Sequence, residues 1–348
     1  FVVDNRGKTC PTSQEGLPLI ATNCINGESL YPEFNKVRFV DKETYDTWFR
    51  SHPLPGDILF VLKGSPGRSC LVPDPVTFCI AQDMVALRVN RDLIYPPYLF
   101  AVLRNKIILR QIEQLHVGSL IPHFKKSSLK ELKIPLVHDK MQRYIGDLHL
   151  DLLEKIELLQ KQNETLEALA QTLFRQWFIE EADDSWEDAL VGDRLKTVLG
   201  GTPSKQIDEY WDGNVPWINS GMVNEFRVSK SSRNITELGL KKSSTKLMPI
   251  GTTVVAITGA TLGQISLLEI ECCANQSVVG IVGNEDIPFW FVHLWITYMM
   301  PEIMLNETGG AQNHINKNDI NSTRIVVPSK SYMNQKHESF LAIYEKIS

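Results

Sequence analysis

The sequence predicts an α+β fold: two globular copies in tandem repeat, separated by long helices that pair as an antiparallel coiled coil. Three observations carry this. Short motifs of the first 156 residues return in the same order about 191 residues later. Between the copies runs a proline-free stretch with an apolar residue at every seventh position. Within each copy, strand-like and helix-like segments are interspersed without the regular spacing of βαβ units.

The repeat fixes the boundaries. Glu154-Lys155-Ile156 recurs as Glu345-Lys346-Ile347 and His123 as His314, both at an offset of 191. Upstream, Ala81-Gln82 pairs with Asn275-Gln276, Gly64-Ser65-Pro66-Gly67 with Gly259-Ala260-Thr261-Leu262-Gly263, and Leu17-Pro18-Leu19-Ile20 with Val215-Pro216-Trp217-Ile218. A period this long exceeds the roughly 20 to 50 residues of solenoid repeats and marks a duplicated domain. The first copy spans 1–138, a spacer helix 139–181, the second copy 182–329 and a second helix 330–348. The second copy has more residues ahead of Gly201-Thr202-Pro203 than the first has ahead of Gly7-Lys8-Thr9, and the second helix stops where the first runs on for another 24 residues. Truncation at both ends is therefore expected.

Taken in order, Leu54-Pro55-Gly56-Asp57 leads into a strand over 58–62, a glycine turn and another apolar stretch, and 248–258 repeats this. The glycine turns fit either ordinary hairpin turns or a nest of N–H groups cradling an anion. Tyr95-Pro96-Pro97-Tyr98 opens an apolar helix to Ile112, and Ile287-Pro288-Phe289 opens one to Leu305, with proline where a first helical turn accepts it. In the spacer, Ile145, Leu152, Leu159, Leu166 and Leu173 recur every seven residues, with His149, Ile156, Asn163, Ala170 and Trp177 four after each. That is a heptad seam, and a lone Asn163 in it serves to fix register. At ~1.5 Å per residue the helix spans roughly 60 Å, and its apolar stripe needs a partner. Phe340, Ile343 and Ile347 fall where His149, Leu152 and Ile156 stand. Antiparallel pairing of the two helices places the domains at opposite ends of a rod.

Composition narrows the class. The 348 residues, 43% hydrophobic and 22% charged, are ordinary for two globular domains. No apolar run reaches the roughly 18 residues of a membrane span. The six cysteines form no C-x-x-C pair, which fits buried, reduced thiols in a cytoplasmic protein. The net charge of −5 is unevenly spread: residues 139–190 carry 13 acidic and 5 basic groups, so the copies themselves are mildly basic.

Catalytic motifs are missing. There is no phosphate-binding loop, no G-x-G-x-x-G and no H-E-x-x-H. Tyr95-Pro96-Pro97-Tyr98 superficially resembles the Asn-Pro-Pro-Tyr loop of amino-methyltransferases but has Tyr for the amide, and it reads as a helix start. Glu131-Leu132-Lys133 has the form of a nuclease half-site without a suitably placed Pro-Asp, and it reads as a charged helix face.

Several motifs nevertheless occur in a specific order. Gly200-Gly201-Thr202-Pro203-Ser204-Lys205 precedes Val215-Pro216-Trp217-Ile218 at a domain start. Pro55-Gly56-Asp57-Ile58-Leu59 and Gly259-Ala260-Thr261-Leu262-Gly263 mark strands and turns, and Leu129-Lys130-Glu131-Leu132-Lys133-Ile134-Pro135-Leu136 closes the first copy. Thr165-Leu166-Glu167-Ala168-Leu169-Ala170-Gln171-Thr172-Leu173-Phe174 runs into Trp177-Phe178 on the spacer. Over essentially its whole length the chain resembles the specificity subunit of type I restriction-modification systems. It departs from that pattern at Gly7-Lys8-Thr9-Cys10-Pro11, which lacks the Gly-Thr-Pro run, and in loop 118–126, which differs from Gly309-Gly310-Ala311-Gln312-Asn313-His314.

The resemblance implies a non-catalytic subunit in which each copy is a target recognition domain reading one half of a bipartite, asymmetric DNA sequence. It implies that the helices set the gap and dock two methyltransferase subunits, which restriction/translocase subunits join. S-adenosylmethionine, ATP and magnesium belong to those partners, and this chain needs no cofactor or metal. Base readout needs side chains such as Arg, Lys, Asn and Gln, with cations nearby for the phosphates. Candidates are Lys63, Arg68, His123, Lys125 and Lys126 in the first copy. In the second they are Arg227, Lys230, Arg233, Lys241, Lys242 and Lys246, together with Gln312, Asn313, His314 and Lys317. The alternatives are the specificity portion of a fused restriction-modification enzyme, an independent nuclease, or a two-headed protein-binding scaffold. Recognition is expected to lie where the two copies differ.

Overall fold

The computed structural model describes residues 1–4, 8–118, 120–306 and 314–347. It divides into two compact units, Phe1–Lys161 and Gln162–Ser348, with the boundary inside the spacer helix.

Among the described residues unit 1 carries the strands β1 (Val2–Val3), β2 (Leu17–Ile20), β3 (Arg38–Val40), β4 (Ile58–Val61), β5 (Ser69–Leu71), β6 (Cys79–Ile80) and β7 (Met84–Leu87). They form a sheet of order β1-β7-β4-β5 and a second of order β3-β2-β6, in which β2 and β6 run parallel. Its helices are α1 (Lys42–Thr47), α2 (Pro96–Leu103), α3 (Lys106–Leu115) and the first part of α4 (Asp139–Arg175).

Unit 2 holds β8 (Glu187–Leu190), β9 (Lys196–Leu199), β10 (Trp211–Ile218), β11 (Arg227–Val228), β12 (Arg233–Ile235), β13 (Thr253–Ala256), β14 (Ile265–Leu268), β15 (Cys273–Ala274), β16 (Val278–Val282) and β17 (Arg324–Val327). Its helices after α4 are α5 (Val191–Arg194), α6 (Glu237–Lys242), α7 (Phe289–Ile303), α8 (Lys317–Asn321) and α9 (Lys330–Lys346). The order β9-β16-β13-β14 matches β1-β7-β4-β5, and β12-β10-β15 matches β3-β2-β6, again with one parallel pair. Unit 2 adds β11 at one sheet edge and a β8-β17 pair. The sequence repeat is thus a repeat of topology.

The central strand of each unit explains the apolar runs. β4 is buried on both faces: Ile58 and Phe60 join Phe100, Ile108 and Ile112 of α2 and α3, while Leu59 and Val61 face Ile20, Cys24 and Ile80. Side chains alternate across a strand, so one continuous apolar strand can serve two cores. In β13, Val255 likewise faces α7, and Val254 and Ala256 face the second sheet.

The helix expected over 95–112 is two helices. Arg104 ends α2 and turns its guanidinium to the carbonyls of Gly27, Glu28 and Ser29, while the Asn105 side chain caps α3 by accepting from the Ile107 N–H. Tyr95 is the N-cap of α2 with two prolines in its first turn, so the Tyr-Pro-Pro-Tyr stretch is a helix start. The six cysteines are free and buried, and burial pushes the Cys70, Cys79 and Cys272 thiols up to about 12.

The packed face of α4 departs from the expected seam. Gly146 lies against α2 so closely that a Cβ would stand 2.6 Å from the Tyr98 nitrogen. Gln142, Gly146 and Leu153 are buried and His149 tilts against Phe100 at 5.6 Å, whereas Leu152 and Ile156 are 55% and 50% exposed. In unit 2 the deepest residues are Ala170, Phe174 and Phe178, with Leu166, Leu173 and Trp177 only partly buried. Ile145, Leu159 and Asn163 are half-buried. The physical reason is that α4 packs first on its globular neighbours, which requires a wider stripe than a two-helix seam.

Helix α9 does meet the end of α4. Tyr332, Lys336 and Phe340 lie at Trp177, while Tyr344 lies within the field of Glu167, so the two run antiparallel. Phe340, Ile343 and Ile347 are buried there. The pair is not free-standing, because the largely buried α7 forms a third side, with Trp290 stacked on Phe340 at 4.4 Å.

His293 of α7 is 5% exposed, with Nδ1 2.7 Å from the Tyr344 hydroxyl; burial first, then the Arg227 cation, holds its imidazole down to about 4. An unfolded histidine titrates near ~6.5. Between these values the unfolded chain takes a proton that folded unit 2 refuses. Stability present above about pH 6.5 is therefore lost as pH falls toward about 4, by roughly 3 kcal/mol from this residue. Urea unfolding of unit 2 at about pH 7.5 and about pH 5 measures the loss, and the variant H293Q is expected to reduce it. An equal loss in the variant would contradict the assignment.

Candidate nucleic-acid interface

In unit 1, β4 runs through Leu62 and Lys63 into a turn whose glycines, Gly64 and Gly67, have φ of 87° and 94°. A Cβ on Gly67 would meet Leu109 at 2.8 Å, so this corner needs glycine. A second segment docks on the end of β4. The Phe124 N–H donates to the Leu62 carbonyl at 2.8 Å, and the Gly64 N–H donates to the Pro122 carbonyl at 2.9 Å. Lys63 and His123 thereby become bridge partners, and His123 pairs on its other side with Val117. Lys63, Arg68, His123 and Lys125 are exposed, whereas Lys126 is paired with Asp4 at 2.6 Å.

Unit 2 repeats the central part of the arrangement in its backbone. The Ile315 N–H donates to the Ile257 carbonyl at 3.1 Å, Thr258 and His314 are bridge partners, and Gly259 and Gly263 have φ of 84° and 79°. Thr258 stands where Lys63 stands. Gln312 and Asn313 lie outside the described residues, His314 is exposed, and Lys317 is half-buried in the first turn of α8 behind the Asn316 capping box. Each turn also borders a groove, of about 500 Å³ in unit 1 and about 610 Å³ in unit 2. Gly67 with Asn26 lines the first, and Gly263 with Asn224 the second.

The basic stretch of unit 2 sorts into two kinds. Arg227 is structural: its guanidinium bonds Glu269 at 2.8 Å and the Tyr344 carbonyl, and its side chain is only 19% exposed. It fastens β11 to α9, and so it is not a free DNA contact. Arg233 lies 4.5 Å over the Trp211 ring and is paired with Asp212 at 3.2 Å through two nitrogens. Lys230, Lys241, Lys242 and Lys246 are exposed and make no ion pair among the described residues. The Arg233–Asp212 pair, on a strand that bulges between Trp211 and Val215, had no signature in the sequence.

Among the described residues no cluster of His, Cys, Asp or Glu could hold a metal ion, and no helix is long and apolar enough to cross a membrane. The stretch from Glu131 to Lys133 is not the charged helix face expected: Glu131 ends a 3-10 turn, and the Lys133 backbone is held by the Gln111 side chain.

Comparison with known proteins agrees with this architecture. The chain is 22% identical over 342 residues to the type I restriction enzyme MjaIX specificity subunit of Methanocaldococcus jannaschii, covering 92% of this chain and 78% of that protein. It is 21% identical over 372 residues to the HindI specificity subunit of Haemophilus influenzae, covering 84% and 81%. The crystal structure of the type I restriction-modification system S subunit from M. genitalium superposes with a TM-score of 0.59 at 16% identity, covering 98% of this chain and 89% of that one, and shares its fold. A family model described as the type I restriction modification DNA specificity domain matches twice, over residues 14–168 and 184–348. With both copies matched and nearly the whole length covered, the chain belongs to the type I restriction-modification DNA specificity family, as two such domains in tandem.

Proposed function

We propose that each unit reads one half of a bipartite, asymmetric duplex target through the loops gathered at its glycine turn. The observation that carries this is the repeated backbone frame that sets an exposed histidine beside the end of the central strand in both units, Lys63–His123 and Thr258–His314. Around it the copies differ in side chains, as two different half-sites require. The exposed lysines and Arg68 supply phosphate contacts, and polar loop residues supply base contacts. On this reading α4 sets the gap between half-sites, and the helices dock methyltransferase subunits, with restriction/translocase subunits joining them. S-adenosylmethionine, ATP and magnesium serve on those subunits, in the cytoplasm.

Salt titration of duplex binding tests the interface. Log affinity falls with log salt by about 0.9 per phosphate neutralised. The double variant K63A/R68A should reduce the slope by about 2 on that basis. R227A, which removes a structural tie, should lower stability and leave the slope unchanged. A slope insensitive to Lys63 and Arg68 would remove the first unit's turn from the interface.

A further inference from the structure

The hairpin that brings His123 to the glycine turn has an unexpected tip. Val117 and His123 close it with two backbone hydrogen bonds, 2.9 and 2.8 Å, and Gly118 at φ 92° leaves no room for a side chain, since a Cβ would stand 2.7 Å from the Ile121 carbonyl. Its base is fixed by Phe124, fully buried beside Phe60 at 6.0 Å. Yet Leu120 at the tip is 93% exposed, Ile121 54% and Val117 44%. Leaving a leucine or isoleucine in water forgoes about 1.5 to 3 kcal/mol each. Three large apolar side chains exposed so near one another, Val117, Leu120 and Ile121, are unlike singly scattered surface residues and mark a contact.

We propose that the Leu120-Ile121 tip is an apolar wedge that enters a base step of the first unit's half-site and partly unstacks it. The proposal rests on the DNA-reading role above. Charge decides the occupant: the wedge rises from a stem on which Lys63 and His123 stand side by side and exposed, with Arg68 and Lys125 within a few residues. That arrangement suits a phosphate backbone on either side of an inserted side chain. Leucine and isoleucine are among the residues that unstack steps in this way, kinking the duplex by about 20 to 90°. The second copy has Gly309-Gly310-Ala311-Gln312-Asn313 at the matching place, with no large apolar residue. The distortion therefore belongs to one half-site only.

The test uses the full chain and duplexes it selects from a randomised pool, with 2-aminopurine placed in turn at each adenine. The expected result is a several-fold fluorescence rise at one step of one half-site. That rise should be lost in the double variant L120A/I121A and kept in L120F, while all three proteins retain the same salt slope and the same preference at the other half-site. No rise with the wild-type chain on a duplex it binds would overturn the wedge, as would a rise that survives L120A/I121A. If the double variant instead keeps the rise and loses only its association with a methyltransferase subunit, the tip is a protein contact and the wedge is likewise refuted. Failure of the wild-type chain to select any duplex would count against the DNA-reading role itself, which separates the two.

Discussion

Four residues inserted after Gln162 should widen the recognised gap by about two base pairs and leave both half-sites unchanged. Helix α4 is continuous from Asp139 to Arg175, so an insertion with good helix propensity extends it by about one turn, ~6 Å. Two base pairs add about 6.8 Å at ~3.4 Å each. The position is chosen from packing. Lys161 and Gln162 are exposed, and they lie between Leu153, the last residue buried in unit 1's core, and Leu166, the first apolar contact of unit 2. Neither core loses a contact. The effect on the original target is large, because a duplex on which only one half-site can be engaged loses much of a specificity that commonly reaches 10³- to 10⁷-fold, roughly. Mapping methylated sites in cells carrying the inserted chain measures the gap directly. An unchanged gap would refute the role of α4 as a spacer.

Truncating Phe340 to alanine should cost unit 2 about 3 to 5 kcal/mol. Its ring is fully buried, stacked on Trp290 at 4.4 Å and 8°, edge-on to Trp177 at 5.7 Å and 6.1 Å from Phe178. Residues of α4, α7 and α9 all pack in this cluster, so the cavity is expected to persist. Domains are commonly stable by only about 5 to 15 kcal/mol, so the loss should bring unit 2 close to unfolding. Six of the seven tryptophans, all but Trp48, lie in unit 2. Tryptophan emission during urea unfolding therefore reports that unit, and the variant's midpoint should fall sharply. A shift worth less than about 1 kcal/mol would show that the cluster relaxes around the cavity.

Much of this architecture is written in the sequence, for physical reasons. A glycine at positive φ is set by local sterics and a proline suits a helix start, so the turns at Gly64 and Gly259 and the start of α2 were legible, while in α7 the proline stands one place earlier, as the N-cap Pro288. The apolar run 58–62 announced a buried strand. The face of α4 was not legible, because the heptad through Leu152 continues at Leu159, Leu166 and Leu173 whereas the one through Leu153 meets Gln160 and Glu167; the packing of Gly146 on α2 nevertheless selects Leu153. The break at Arg104-Asn105 escaped because its cause, the carbonyls of Gly27, Glu28 and Ser29, is 75 or more residues away. Charge counting likewise placed Arg227 in the interface, since its partners Glu269 and Tyr344 are 42 and 117 residues distant. A cation's sequence neighbours say little about whether its charge is already spent.

The loops at the two glycine turns are fastened by main-chain hydrogen bonds, Phe124 to Leu62 and Ile315 to Ile257. Amide and carbonyl groups are common to nearly all residues, so these fastenings are indifferent to the letters written on the loops between them. Lys63 in one copy and Thr258 in the other occupy the same bridge without altering the frame. On the proposed reading, a protein built this way can exchange its recognition loops one residue at a time while its folding free energy stays nearly constant. Variation in what is recognised then becomes inexpensive, and the two halves of one chain can drift apart in preference without either ceasing to fold.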